Sequence, residues 1–483
     1  MTRLLTPAFY VALGVLAVIF TQTYIPLLLF TGCSVILAAL GITAWYSANE
    51  SLKHKGLALI CLGAGLFLGN LLAANLGDEN TFHFTGTGLE RIGRFDGFLQ
   101  TDEQWISDDL SVCSLKLTSA AARDGTFTGD ARGEVRLFVR NSPGLYAGET
   151  LSVEGRLKPN KDTDPGFADS WVTGDKIRIN GFSSWVYAAR FSVIGWCGVR
   201  IAEMGEPQAS FFKALFLGDR RGLEPELQES LFATGSVHLL AVSGLHVGIV
   251  FTFIALVLFP FHSKKIKIII GSLCVLCYLF LVGPKPSLLR ASVMIVTAGT
   301  AVVLDRDFNP YNVFFLSLVI ALWLDPGAVA TLSFGLSYCA VLGMLTMGAG
   351  LNSYLTPYLP APLRAPLSFS LGAQAATLPL VIIFFKQVYV LAFLAVLILV
   401  PLVTAFVWGG MTFLIISVIP FTPLHQAAAA VLTIVYRIIF SVSGFFAKIP
   451  VLVTEWNNWY IVPLVLLAGL VAFIIYRERS YEL

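Results

Sequence analysis

Long apolar runs separated by short polar links fill most of this chain, and each run is close to the length that crosses a bilayer as a helix. Spans are expected over 7–20, 24–44 and 56–76, then over 237–261, 268–282 and 288–304. Further runs near 311–324, 329–348, 366–385, 389–418, 424–447 and 459–476 bring the total to about twelve. Lys and Arg collect on the cytoplasmic side of short loops. Lys53 and Lys55, the HSKKIK link at 262–267, Arg3 at the front and Arg477 and Arg479 at the back therefore place both termini in the cytoplasm. Arg3 before an apolar core is also how a secretory signal begins. A second apolar run follows at once without a clear small-residue cleavage site, which favours a retained span.

One stretch breaks the pattern. From 78 to 183 charged residues and glycines become frequent, and VRLFV (135–139), LSVEGRL (151–157) and KIRING (176–181) alternate apolar with polar positions. Period-two alternation with turn residues between runs predicts a small antiparallel all-β domain, inserted after the third span and extracytoplasmic by the charge argument. LYAGETLSVEGRLKP (145–159) suits an OB-type barrel, a fold that often holds single-stranded nucleic acid, and it suits other small β domains too. Trp105, Phe127, Phe138 and Tyr146 are candidates either for stacking on bases or for the core. Lys116, Arg123, Arg132 and Arg136 are possible DNA-binding cations, although many acids accompany them.

The chain then reads as an interfacial helix within 183–204, rich in aromatics, and two short amphipathic helices broken at Gly218 and Gly222. Four regions result: membrane helices over 1–77, the OB-like domain over 78–183, interfacial and amphipathic helices over 184–235, and a transmembrane domain over 236–483.

Composition agrees with this polytopic α-helical reading: 56% of the residues are hydrophobic, only 13% are charged, and the mean hydropathy is +0.77. The formal net charge of +2 is small and excludes little. Of seven cysteines, Cys274 and Cys277 form a CxxC inside an apolar run, which allows packing or metal and redox chemistry. Cys113 and Cys197 are the one pair open to a disulfide.

The most informative residues lie where water gives way to membrane, in LGDRRGLEPELQESLFATGSVHLLAVSGLHVGIV (217–250). Polar side chains at membrane depth are costly and face a protein interior or a wet cavity, so His238, Ser243 and His246 are read as interior. Gly235, Gly244 and Gly248 allow either close backbone approach or a break in the helix. Arg290 either snorkels to the interface or lines a path. Ser333 and Ser337, with Gly335 between them, share one helix face, and Gln374 precedes Pro379 where a cavity wall or a packing contact would suit it.

Several chemistries lack their signatures. There is no phosphate-binding GxxxxGK[ST] loop and no GxSxG elbow, and no acid is placed to orient His246. His238 and His246 are not at the i, i+4 spacing of a helical zinc pair. No metal, no cofactor and no catalytic residue is therefore expected.

The 217–250 stretch resembles the signature of the ComEC competence family, the inner-membrane channel proteins of bacterial DNA uptake. GPKPSLLRASVM (283–294), DPGAVATLSFGLSYCAVLGML (325–345), LGAQAATLPLVIIFF (371–385) and LVPLV (399–403) follow in the family's order. The resemblance implies a channel that passes one DNA strand to the cytoplasm, with an OB-like domain outside. It assigns motif positions to Asp219, Arg220, Gly222, Gly235, His238, Leu239, Ser243, Gly244, His246 and Gly248, and to Pro286, Arg290, Ser333, Ser337 and Gln374. Longer members end in a metallo-β-lactamase-like domain; none is expected after Leu483 here, so either a separate nuclease removes the other strand or that activity is missing. An extracytoplasmic DNA-binding protein and a cytoplasmic ATP-driven helicase-like motor are the other implied partners, besides single-stranded DNA and membrane lipid. Two alternatives stay open: transport of another polyanion or an envelope glycan precursor, and a membrane hydrolase using Ser243 and His246.

Overall fold

The computed structural model describes residues 92–106, 109–122, 128–159, 167–240, 242–283, 285–306, 309–324, 331–389, 392–449 and 452–453, with short pieces at 11–13, 15, 61, 65 and 83–84. The expected spans over 24–44 and 459–476, most of those over 7–20 and 56–76, and Arg123 and Phe127 lie outside them. The described residues form two compact units, one within 69–199 and one running from 200 onward.

The first unit is a sheet of β1 (His83–Phe84), β2 (Ile92–Leu99), β3 (Gln104–Trp105), β4 (Leu110–Ala122), β5 (Thr128–Arg132), β6 (Glu134–Arg140), β7 (Glu149–Glu154), β8 (Lys158–Pro159), β9 (Phe167–Thr173) and β10 (Ile177–Phe182). The main path runs β10-β7-β2-β4-β6-β9-β8. Its pairings are antiparallel except β6 with β9. The three alternating runs picked out from the sequence are β6, β7 and β10. In β6 the alternation sorts Val135, Leu137 and Val139 into the core with Phe95, Leu115 and Leu151, and turns Arg136 and Phe138 outward. β2 carries register shifts on either side of Asp96, and a Cβ on Gly97 would lie 2.3 Å from the Lys116 carbonyl oxygen. Only glycine lets β4 approach so closely there.

Helix α1 (Trp185–Ala202) leaves this sheet. Arg190 on it is buried and grips the Asp102 carboxylate through both guanidinium nitrogens, at 2.7 and 2.5 Å. Its exposed positions include Trp185, Val193, Trp196 and Val199. The disulfide considered between Cys113 and Cys197 does not form. Cys113 is packed in the sheet core, Cys197 is on α1, and each is a free thiol.

The second unit is helical: α2 (Gln208–Phe216), α3 (Pro225–Ala233), α4 (Gly244–Val257), α5 (Lys264–Val282), α6 (Pro286–Val303), α7 (Pro310–Leu324), α8 (Leu332–Gly343), α9 (Ala349–Tyr354), α10 (Ala361–Phe385), α11 (Ala392–Ile416) and α12 (Thr422–Ala447). A π-helical turn, Met344–Gly348, joins α8 to α9. Six stretches among the described residues are long and apolar enough to cross a membrane: α5, α6, the α8 to α9 run, α10, α11 and α12. α4 and α7 are apolar but shorter. The chain is thus a multi-pass membrane protein with a separate β unit.

The span expected over 237–261 is cut short. α4 has 14 residues, about 21 Å at 1.5 Å per residue, because the chain before it turns instead of continuing the helix. Glycine lets helices touch elsewhere in the unit: a Cβ on Gly343 of α8 would lie 2.3 Å from the carbonyl oxygen of Gly372 on α10. The amphipathic α2 packs inward, with Phe211 and Phe212 fully buried against Phe406 of α11. The Tyr436 hydroxyl of α12 donates to Glu224 Oε2 at 2.6 Å, tying α12 to the start of α3.

Candidate functional site: the helix break before Gly244

Between α3 and α4 the chain spends ten residues on a break. Gly235 takes a left-handed φ of +69°, Val237–Leu239 form a single 3-10 turn, and Ser243 is extended at the N-cap of α4. A Cβ on Gly235 would also lie 2.6 Å from the Tyr389 ring, so both backbone and space demand glycine there. Ser243 and His246 form a capping box: the Ser243 side chain takes the backbone N–H of His246, and His246 Nδ1 accepts the Ser243 N–H at 3.2 Å.

The same box brings Ser243 Oγ to 3.3 Å from His246 Nδ1, the contact a hydrolase reading would seize on. Nδ1 is occupied by the backbone N–H, so the neutral ring carries its proton on Nε2. His246 Nε2 is buried and has no hydrogen-bond partner, whereas a hydrolase triad would set an acid against the second ring nitrogen. The contact is that of a helix cap.

Arg290 comes to this cap from the first turns of α6. It is only 7% exposed; its Nε donates to Ser337 Oγ of α8 at 2.9 Å, and its guanidinium lies 5.6 Å from the Tyr338 ring centroid. Its Nη2 lies 3.1 Å from where a Cβ on Gly244 would be. Ser287 donates to the Val242 carbonyl at 3.4 Å, pinning α6 to the break. Just ahead of α6, Lys285 Nζ lies 2.6 Å from where a Cβ on Gly218 would be, and Gly218 again has a left-handed φ of +79°. Lys285 and His238 are both within electrostatic reach of His246.

Several motif residues thus meet and others do not. Gly218, Ser243, Gly244, His246, Arg290 and Ser337 gather around the start of α4. Asp219 instead pairs with Arg221, both oxygens at 2.8 Å from guanidinium nitrogens, in an exposed turn. Arg220 and Gly222 share that turn, with Gly222 at φ +72°. His238 is exposed and its Nδ1 lies 3.2 Å from the Gly235 carbonyl oxygen. Gly248 has open space around it. The face shared by Ser333 and Ser337 divides: Ser337 meets Arg290 and Ser333 is exposed. Gln374 bonds Ser370 on its own helix at 3.1 Å. Lys285 was missed, because GPKPS reads as an outer turn. The one available signal was a cation placed just before a proline-started helix.

On the β unit, Arg136 pairs with Asp169 at 3.2 Å, while Lys116 and Arg140 are exposed. Arg132 is on β5. Phe138 stacks outward on the exposed Trp171 with centroids 4.4 Å apart, and Tyr146 packs edge-on to Phe191. Burial pushes the Cys113 thiol up to about 12, with Glu103 and Glu149 adding to the shift. Among the described residues no group of three or more His, Cys, Asp or Glu is placed to hold a metal ion.

The break, the cap and Arg290 all fall in the region that comparison with known proteins singles out. ComE operon protein 3 of Bacillus subtilis is 29% identical over 201 residues, 41% of this chain and 25% of that protein. An uncharacterised protein of Aquifex aeolicus is 32% identical over 197 residues (41% of this chain, 45% of its own length), and YcaI of Escherichia coli is 28% identical over 211 residues (41% and 28%). The matched stretch spans less than half the length of each of these relatives. No solved structure matches the chain. The family model described as competence protein matches residues 215–480, more than half of the sequence and the whole of the site described above, and the chain belongs to the competence protein family.

Proposed function

We propose that this protein is an inner-membrane channel that passes single-stranded DNA into the cytoplasm during natural transformation. The observation that carries the reading is the helix break itself: a histidine and an arginine are buried beside a helix N-terminus in a membrane unit, with no carboxylate paired to either among the described residues. Buried ionisable groups in a bundle are expensive and mark pathways more often than packing. A strand with one charge per nucleotide needs cations and backbone dipoles along its route, and too many would hold it fast. Here they are few.

In this reading the β unit is an extracytoplasmic OB-type barrel that meets the strand with its outward face. Phe138 and Trp171 offer a stacking platform there, and Lys116 and Arg140 attract phosphates. Both termini and the loop at 262–267 are cytoplasmic, with about twelve spans in all. The chain would work with an extracytoplasmic DNA-binding protein, a cytoplasmic ATP-driven helicase-like motor and a separate nuclease. His238, Ser243 and Gln374 are assigned to the walls of the path.

The test follows fluorescent double-stranded DNA into cells carrying the intact gene, a deletion, or the paired change His238→Ala and His246→Ala at matched protein levels. Stalling of DNA outside the inner membrane in both altered strains is the expected result. Normal import by the deletion strain would move the search to other envelope polyanions or glycan precursors.

A further inference from the structure

Helix α1 has two faces that differ in what they touch. One is fixed to the β unit: Arg190 holds Asp102, whose Oδ1 also accepts the Ala147 N–H at 2.9 Å, and Phe191 packs edge-on to Tyr146 and against Phe182. A Cβ on Gly148 would strike the Tyr187 ring, so the turn at 146–149 is seated directly on the helix. The opposite face runs through Trp185, Ala189, Ser192, Val193, Trp196 and Val199, spaced as one stripe of an α-helix, and all six are exposed. None of them carries a charge. The Ser192 hydroxyl donates to the Ala188 carbonyl of its own helix at 2.9 Å, which takes its polarity out of the stripe. Both charged residues of α1 are accounted for: Arg190 is buried on the docked face, and Arg200, where the stripe ends, pairs with Glu203 at 2.8 Å.

An exposed, uncharged stripe of this length marks a surface that something else covers. A face turned to water would carry Lys or Glu, and a face turned to a polyanion would carry Lys or Arg. Two tryptophans on one stripe, each with an indole N–H for a carbonyl or phosphate oxygen and a ring for acyl chains, suit the zone between headgroups and hydrocarbon. The chain supplies the continuity. Residues 203–207 alone separate α1 from α2, which is packed through Phe211 and Phe212 against Phe406 of the membrane-spanning α11.

We propose that α1 lies along the bilayer surface with this stripe in the interfacial zone, and that it moors the β unit to lipid through the Arg190, Tyr187 and Phe191 contacts on its other face. The aromatic content of 183–204 predicts an interfacial helix; the contacts add which face is free and that the opposite one is locked to the sheet. The partner is a lipid surface of any net charge, because binding comes from apolar area and two indoles rather than from attraction to anionic headgroups. The inference rests on the chain being a membrane protein and is independent of what the membrane unit carries.

The test uses the full chain in phosphatidylcholine nanodiscs and reads tryptophan emission quenched from two sides, by phosphatidylcholine brominated near the top of its acyl chains and by aqueous acrylamide. The paired change Trp185→Phe with Trp196→Phe is compared with the wild type and with Trp171→Phe, which alters an exposed ring on the β sheet; each variant is checked for an unchanged melting temperature. The paired change is expected to remove emission that the bromolipid quenches and to leave the acrylamide-quenched part as in the wild type. Trp171→Phe is expected to do the reverse. The loss in the paired variant is expected to be the same when phosphatidylglycerol is mixed into the discs. If the paired change instead removes acrylamide-quenched emission, the stripe faces water and the proposal is overturned. If it removes neither, protein covers the stripe, whether a second copy of this chain or another segment of it, and the proposal is overturned equally. A loss of bromolipid quenching seen only with phosphatidylglycerol present would mean recognition of anionic headgroups and would overturn the charge-indifferent mooring.

Discussion

Arg290 Nε donates to Ser337 Oγ at 2.9 Å, bridging α6 and α8 inside the membrane unit. Among the described residues the serine hydroxyl is the oxygen to which this buried guanidinium donates. A hydrogen bond to a charged group contributes about 1.5–3 kcal/mol. Ser337→Ala should therefore destabilise the detergent-purified protein by about that amount, and Ser333→Ala, at an exposed position, should leave the melting temperature unchanged.

The crossing of α8 and α10 depends on two glycines that meet. Gly343→Ala would drive a methyl group into the Gly372 carbonyl, 2.3 Å away, and overpacking of this kind costs about 1–3 kcal/mol or more. Gly248→Ala meets nothing within 4 Å and improves helix propensity. Thermal unfolding of the two variants side by side should show a clear loss for Gly343→Ala and no loss for Gly248→Ala.

In the β unit, Asp102 and Arg190 form a two-point ion pair with the arginine almost fully buried. Removing one partner of such a pair strands the other charge and costs about 3–5 kcal/mol. Asp102→Ala should expose strands β2 and β7 to rapid amide exchange in the full chain. The double change Asp102→Ala with Arg190→Met should recover much of the protection, since it leaves no unpaired charge.

Glu149 offers a pH readout. Burial, with Glu103 and Asp102 nearby, raises its carboxyl above the ordinary carboxylate range, partly offset by the Tyr146 N–H that donates to it at 2.9 Å. The folded β unit thus binds this proton more tightly than the unfolded chain does. Its stabilising effect is present at low pH and is lost as pH rises through the folded value. Glu149→Gln keeps an acceptor for Tyr146 and removes the charge, so it should make the unit more resistant to urea at neutral pH and flatten the pH dependence just above the carboxylate range. Equal pH dependence in the two proteins would assign that dependence to other groups.

Cys113 supplies a simple probe of the same core. With its thiol held at about 12, the thiolate fraction at pH 8 is on the order of one in ten thousand, and the side chain is 3% exposed. Maleimide labelling of Cys113 should be negligible in the native protein and complete once urea opens the sheet.

What was legible in the sequence was whatever depends on neighbours along the chain. Alternation at period two marked the positions of β6, β7 and β10; in β6 it also sorts the faces, because a strand that faces a core on one side writes that fact into every second residue, whereas in β10 Ile177 is buried and Ile179 is exposed. Apolar runs marked α5 to α8 and α10 to α12 within a few residues, since a helix crossing a bilayer must satisfy its own backbone in one continuous stretch, whereas α9 lies beyond the run expected near 329–348. The polar and glycine content of 217–250 marked the place where the helix fails. What only the tertiary structure decided was which of those residues meet. Arg290 finds Ser337 from 47 residues away, and Lys285 meets Gly218 although three helices, α3 to α5, lie between them in the chain. Asp219 turns to its neighbour Arg221 instead, and Gln374 to its own helix. Local patterns record the preferences of the backbone and of one face. The pairing of a buried cation with a hydroxyl on another helix depends on helix crossings and glycine contacts that leave no regular spacing in the chain.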